Sequence, residues 1–232
     1  MSRVIAVFGA GTGLGTSVAR RFAAEGFRVA LVARRKERLD ALVTQLAAEG
    51  IEVAGFTADL SKPTEIPALI AAIRERFGRI DVIEYGPIGA EVAFTPAARL
   101  APGGLEKDIP LLLLTPVATV QAVLPEWTER GDGAFLMTTG HTAVAPRPHL
   151  SGVGPVMAAA RNYLYSLHGE LAGSGIYAGT LSIAAMIDRS EIAEKIDVPA
   201  GFPVVDPDEL AELYWRMYTK RDVVEQVHPE GA

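Results

Sequence analysis

Short unbroken apolar runs alternate along this chain with stretches whose apolar positions recur every three or four residues, the pattern of successive βαβ units. Val4-Ile-Ala-Val-Phe8 reads as a first strand, and Leu14, Val18 and Phe22 then stripe one face of a helix that Gly26 can end. Residues 29–33 give a second strand, Leu39, Leu42, Val43 and Leu46 a second helix, and Val53–Thr57 a third strand. Ile66, Leu69, Ile70, Ile73 and Phe77 stripe a third helix, stopped by Gly78 before a strand over 80–85. The pattern continues with a strand over 134–139, a long helix over 154–172 and a strand over Ile176–Ile183. Strands that are apolar on every residue are buried on both faces, so the expected fold is a doubly wound, Rossmann-type α/β sheet forming one domain over 1–232.

Three segments break the regularity. Residues 86–104, rich in Gly and Pro, read as one long loop. Residues 105–127 look helical but hold Pro110, Pro116 and Pro125, and an interior proline removes a hydrogen bond and clashes with the preceding turn, which predicts a kinked or broken helix. Asp206 followed by Pro207 reads as an N-cap with proline in the first turn, and 222–227 as an edge strand.

Composition narrows the classes of partner. With 28 acidic against 22 basic residues, a net charge of −6 leaves no positive field for nucleic acid or anionic lipid. No stretch approaches the ~20 consecutive apolar residues of a membrane span. The first strand begins too early to leave room for a signal peptide, so a cytoplasmic protein is expected. Zero cysteines exclude disulfides and thiolate chemistry, and His141, His149, His168 and His228 lack metal-ligand spacing.

The first candidate chemistry sits between the first strand and the first helix, where Gly9-Ala-Gly11-Thr12-Gly13-Leu14-Gly15 stands. Small residues there let the backbone turn sharply and let a pyrophosphate approach the helix N-terminus, whose N–H groups and dipole favour an anion. About 20 residues further on, an acidic residue would hold the ribose 2′-hydroxyl of NAD. This chain instead carries Arg34-Arg35-Lys36 at that place. Guanidinium groups suit the 2′-phosphate of NADP(H), and cations at a helix N-terminus lack a helical rationale of their own. Asp59 and Leu60 follow the third strand at the same sheet edge, where Asp59 either accepts from an adenine amino group or caps the turn near Pro63. Tyr85 and Gly86, after the fourth strand, complete the candidate cofactor set.

Taken together, these features resemble the short-chain dehydrogenases/reductases. The resemblance rests on Gly9, Gly13 and Gly15, the Ala-Arg-Arg after the second strand, Ala58-Asp59-Leu60, Phe77-Gly-Arg-Ile-Asp81 and Ser166-Leu-His-Gly-Glu-Leu171 before Gly175. It implies an NADP(H)-dependent oxidoreductase acting on a small molecule and assembling as a homodimer or homotetramer. It also implies a catalytic serine and a Tyr-x-x-x-Lys pair, and no Tyr-x-x-x-Lys occurs in this sequence. Gap-free alignment back from Ser166 puts Val153 at the tyrosine, Met157 at the lysine and Gly140 at the serine, with Leu112 near the helix-borne asparagine. The remaining candidates for proton exchange are Thr139, Glu84, His141 and His149, each with an ordinary structural reading beside the catalytic one. A non-catalytic NADP(H)-binding protein, a sensor or partner subunit, is the second reading.

Overall fold

The computed structural model describes residues 2–88, 95–194 and 201–231. β1 (Val4–Phe8), β2 (Arg28–Ala33), β3 (Val53–Thr57), β4 (Val82–Tyr85), β5 (Gly133–Gly140), β6 (Ile176–Ile183) and β9 (Glu225–His228) form one parallel sheet in the order β3-β2-β1-β4-β5-β6-β9. The order reverses after β1, and a doubly wound sheet opens a crevice at the carboxyl ends of its strands at that point. Two short strands, β7 (Met186–Ile187) and β8 (Val204–Val205), pair separately.

Helices cover both faces because alternate residues of each strand point to opposite sides. Phe8, Ile83, Tyr85 and Phe135 pack with α3 (Ile66–Phe77), α5 (Thr115–Arg130) and α6 (Gly154–Glu170). Val7, Val82, Leu136 and Leu181 pack instead with α1 (Leu14–Ala23), α2 (Lys36–Ala48) and α7 (Pro207–Lys220). Every residue of β1 and β6 is buried, as continuous apolar runs require. Asp206 caps α7 by accepting from the Asp208 N–H at 2.8 Å, with Pro207 in the first turn.

The proline-rich segment differs from its sequence expectation. α4 (Pro102–Ile109) passes through a π-helical turn over Pro110–Leu114 directly into α5, giving continuous helix over Pro102–Arg130. The wider turn accommodates Pro110 and leads directly into Pro116, the second residue of α5. Only Pro125 lies in an α-helical interior. This helix also has the length and composition of a membrane span, contrary to the sequence reading, although a packed core helix passes the same test. The expected loop over 86–104 is shortened by a 3₁₀ turn at Ala97–Arg99 and by the start of α4, and residues 89–94 lie outside the described residues. The edge strand runs over Glu225–His228, displaced from 222–227, and pairs with β6 with Ser182 opposite Val227.

Candidate functional site

A cleft of about 1070 Å³ runs along the carboxyl edge of β2, β1, β4, β5 and β6. Gly9 has φ +89, and a Cβ there would stand 2.5 Å from the Pro87 backbone, so the β1 and β4 ends approach as only glycine allows. The Gly9 and Ala10 N–H groups both donate to the Val32 carbonyl at 2.9 Å, which ties the turn to β2. Gly15 packs against Ala10, whereas Gly11 faces open space. α1 starts at Leu14 behind Gly13, and no side chain caps it. Its N-terminus therefore offers backbone donors to the cleft.

Gly9, Gly11, Thr12, Gly13, Leu14, Gly15, Arg34, Arg35, Asp59, Leu60 and Gly86 all line this cleft. Tyr85 does not: strand alternation turns its ring into the α3 and α5 layer, where the hydroxyl donates to the Leu111 carbonyl. Gly86 is held small by its neighbour, since a Cβ there would lie 2.6 Å from Glu84 Oε1. Asp59 accepts from the Ser61 hydroxyl at 2.7 Å and the Ser61 N–H at 3.1 Å, and the hydroxyl bond holds its carboxyl below the usual aspartate range. The carboxylate thus organises the turn after β3 while facing the cleft.

Two cleft residues had no sequence signal strong enough to single them out. Arg38 lies in the first turn of α2, and Glu191, after β7, pairs with both Arg35 and Arg38, the latter at 2.6 Å. Arg38 could have been found as a further basic residue just beyond the Arg34-Arg35-Lys36 run. Glu191 could not, because its partners are distant in the chain.

At the other end the candidates separate. Thr139 is buried, and its hydroxyl sits 2.7 Å from Ser182 Oγ and 3.2 Å from Thr180 Oγ1, with Ser182 in turn donating to Glu225 at 2.7 Å. Arg161 grips the same Glu225 carboxylate. Thr139 is thereby committed to a cross-strand network. Glu84 touches the cleft from below but is 1% exposed. Its Oε1 accepts from Thr138 Oγ1 at 3.0 Å, and Thr138 lies 2.6 Å from the Tyr214 hydroxyl. Burial with no cation beside it pushes the carboxyl up to about 8, against the pull of the Thr138 bond. Glu84 therefore holds its proton to a higher pH than an ordinary glutamate.

His141 begins the turn after β5 and lines the cleft, with both ring nitrogens enclosed and without a hydrogen-bond partner among the described residues. His149 is exposed in a left-handed conformation, φ 68, and is not brought to the cleft; Arg147 of the same loop lines it instead. Val153, at the N-cap of α6, and Met157 within it line the cleft, and the Gly140 N–H donates to Met157 Sδ at 3.2 Å. Leu111, Leu150 and Ile183 add to an apolar wall at this end. Tyr163 packs against the core and Tyr165 bonds Glu225 at 2.7 Å, so neither serves the cleft.

Residues 3–196 match the short chain dehydrogenase family. Oxidoreductase asL5 of Sarocladium schorii is 30% identical over 189 residues, 82% of this chain and 73% of that protein. Among solved structures, an actinorhodin polyketide ketoreductase with NADPH superposes with a TM-score of 0.84 at 25% identity, over 98% of this chain and 95% of the other. A 7α-hydroxysteroid dehydrogenase complexed with NADH and 7-oxo glycochenodeoxycholic acid superposes with a TM-score of 0.87 at 17% identity, covering 99% and 94%, and shares the fold.

Proposed function

We propose that this chain, which belongs to the short-chain dehydrogenase family, is an NADP(H)-dependent oxidoreductase for an apolar substrate, with a rebuilt proton-exchange site. The observation that carries this reading is the single cleft joining an uncapped helix N-terminus, a mouth of Arg34, Arg35 and Arg38, and an apolar far wall. The residues fit a dinucleotide phosphate: Gly11 leaves room for close backbone approach, and three guanidinium groups supply planar donor forks for a 2′-phosphate. The nicotinamide group supplies or takes the hydride when bound. Arg34 and its neighbours would orient the nucleotide, and Val153, Met157 and Leu111 would exclude water from the reacting end. Proton exchange falls to His141, which lines the cleft and adjoins Gly140, the position where the resemblance expects the serine.

A second reading, a non-catalytic NADP(H)-binding sensor or partner subunit, is favoured by Gly140, Val153 and Met157 at the three positions where the family carries serine, tyrosine and lysine. Purified protein mixed with NADPH separates the two. Fluorescence change on binding followed by NADPH oxidation with some member of a panel of apolar ketones supports the oxidoreductase. Binding without turnover across the panel supports the sensor, and no binding contradicts both.

Self-association into a homodimer or homotetramer belongs to the same proposal. Only a third of the most apolar window of the 102–130 helix is buried within the chain, and Leu114 on it is 45% exposed. An apolar helix face of this kind suits a symmetric partner copy.

A further inference from the structure

After β6 the chain folds back across the nucleotide end of the cleft. The Thr12 hydroxyl donates to the Arg189 carbonyl at 2.8 Å, and a Cβ on Gly13 would stand 3.2 Å from both the Asp188 carbonyl oxygen and the Ser190 backbone. Residues 188–190 are therefore seated on the glycine turn itself. One residue on, the Glu191 carboxylate reaches the far bank and pairs with Arg35 and with Arg38. Arg34, on the same rim, makes no ion pair among the described residues.

This arrangement bears on the NADP(H) reading, on which it rests. A carboxylate and a phosphate compete for the same donors, because both present paired anionic oxygens to the guanidinium fork. Two of the three arginines that would take the 2′-phosphate are already engaged by an anion of the protein's own. We propose that Glu191 is a cofactor-selecting residue, an internal counter-anion that the 2′-phosphate must displace from Arg35 and Arg38. A nucleotide without that phosphate leaves the pair intact and bears no such cost. Glu191 therefore narrows the preference for NADP(H) over NAD(H) that three unpaired arginines would give.

Glu191 stays ionised under any working condition, since its two arginines hold the carboxyl down to about 2. The pairing is open to solvent on the cationic side, with Arg35 53% and Arg38 57% exposed.

The test uses the full chain and two nucleotides that differ only in the phosphate at issue, adenosine 2′,5′-bisphosphate and adenosine 5′-monophosphate, with affinities measured by calorimetry. Glu191→Gln is expected to tighten the bisphosphate by about fivefold, the scale of one charge-assisted contact, and to change the monophosphate by less than about twofold. The gain should vanish when Glu191→Gln is made on Arg35→Ala/Arg38→Ala. If Glu191→Gln leaves the bisphosphate unchanged while Arg35→Ala weakens it, the counter-anion role is overturned and the 2′-phosphate site stands. If neither Arg34→Ala nor Arg35→Ala weakens the bisphosphate, the phosphate site and the counter-anion role fall together. Glu191→Ala, with its thermal transition recorded, guards against a fold effect: the same gain in affinity is expected, and a gain seen only with Gln overturns the proposal.

Discussion

The Gly140 N–H donates to Met157 Sδ at 3.2 Å, and a Cβ built on Gly140 would stand 3.5 Å from the same sulfur. These two positions, on β5 and α6, are those where the family resemblance expects a serine and a lysine. The contact sets the two residues side by side on the cleft wall, where β5 meets α6. Gly140 has φ −84 and ψ 148, which any residue adopts, so a side chain there needs no backbone change.

Placing the expected family groups at these positions is a direct test. Gly140→Ser, Val153→Tyr and Met157→Lys combined should raise NADPH-dependent reduction of a simple ketone by about 100-fold or more, the contribution of a positioned general acid. Single-turnover kinetics on the variant check this. No rise, with folding and NADPH binding preserved, would mean that the alignment is wrong or that the pocket has been rebuilt for something other than carbonyl reduction.

Glu84 gives a prediction about pH. Its folded-state pKa of about 8 lies above the ordinary glutamate value, so the native state holds this proton more tightly than the unfolded chain. The stabilisation is complete below the ordinary value and is lost as pH rises through about 8. Glu84→Gln keeps an acceptor for Thr138 and removes the ionisation. Between pH 5 and 9, denaturant midpoints of the wild type should fall more steeply than those of Glu84→Gln, with the variant ahead at the alkaline end. Parallel profiles would show that Glu84 ionises without penalty.

His141 should govern activity wherever turnover is found. His141→Ala should lower kcat by about 100-fold while NADPH affinity changes little, the signature of a lost proton-exchange group. His149→Ala should change neither, because His149 is exposed and away from the cleft. Steady-state kinetics on the pair distinguish a specific role for His141 from a general sensitivity of the loop.

What could be read from sequence followed from periodicity. β1, α1, β2 and α3 emerged because continuous apolar strands and i, i+4 stripes report burial directly, and the glycine turn because its place between strand and helix confirms it. The position of Tyr85 at the end of β4 suggests the cleft, but strand alternation puts it opposite Glu84, on the face of Ile83, and so turns it inward. The Glu84–Thr138–Tyr214 chain and the Glu191 pairs were illegible for another reason. They join β4 to α7, and the end of β2 to the segment after β7, and single-sequence patterns carry no information about such distant partners. The π-turn at Pro110 was hidden because proline signals a broken helix without saying how the break is absorbed.

Assembly is tested at Leu114. Sedimentation of the wild type at micromolar concentration should show a dimer or tetramer, and Leu114→Glu, which places a charge on an exposed apolar helix face, should shift it toward monomer. A wild type that sediments as a monomer contradicts the proposed self-association.

The central claim is that the arginine mouth of the cleft selects a 2′-phosphate, and parallel titration of NADPH and NADH into wild type and Arg34→Ala tests it most directly. Wild type should bind NADPH at least about tenfold more tightly than NADH, a difference of ~1.4 kcal/mol, and Arg34→Ala should lose most of that margin while keeping its NADH affinity. Equal affinity for the two cofactors in the wild type, or an Arg34→Ala variant unchanged toward NADPH, would contradict the account.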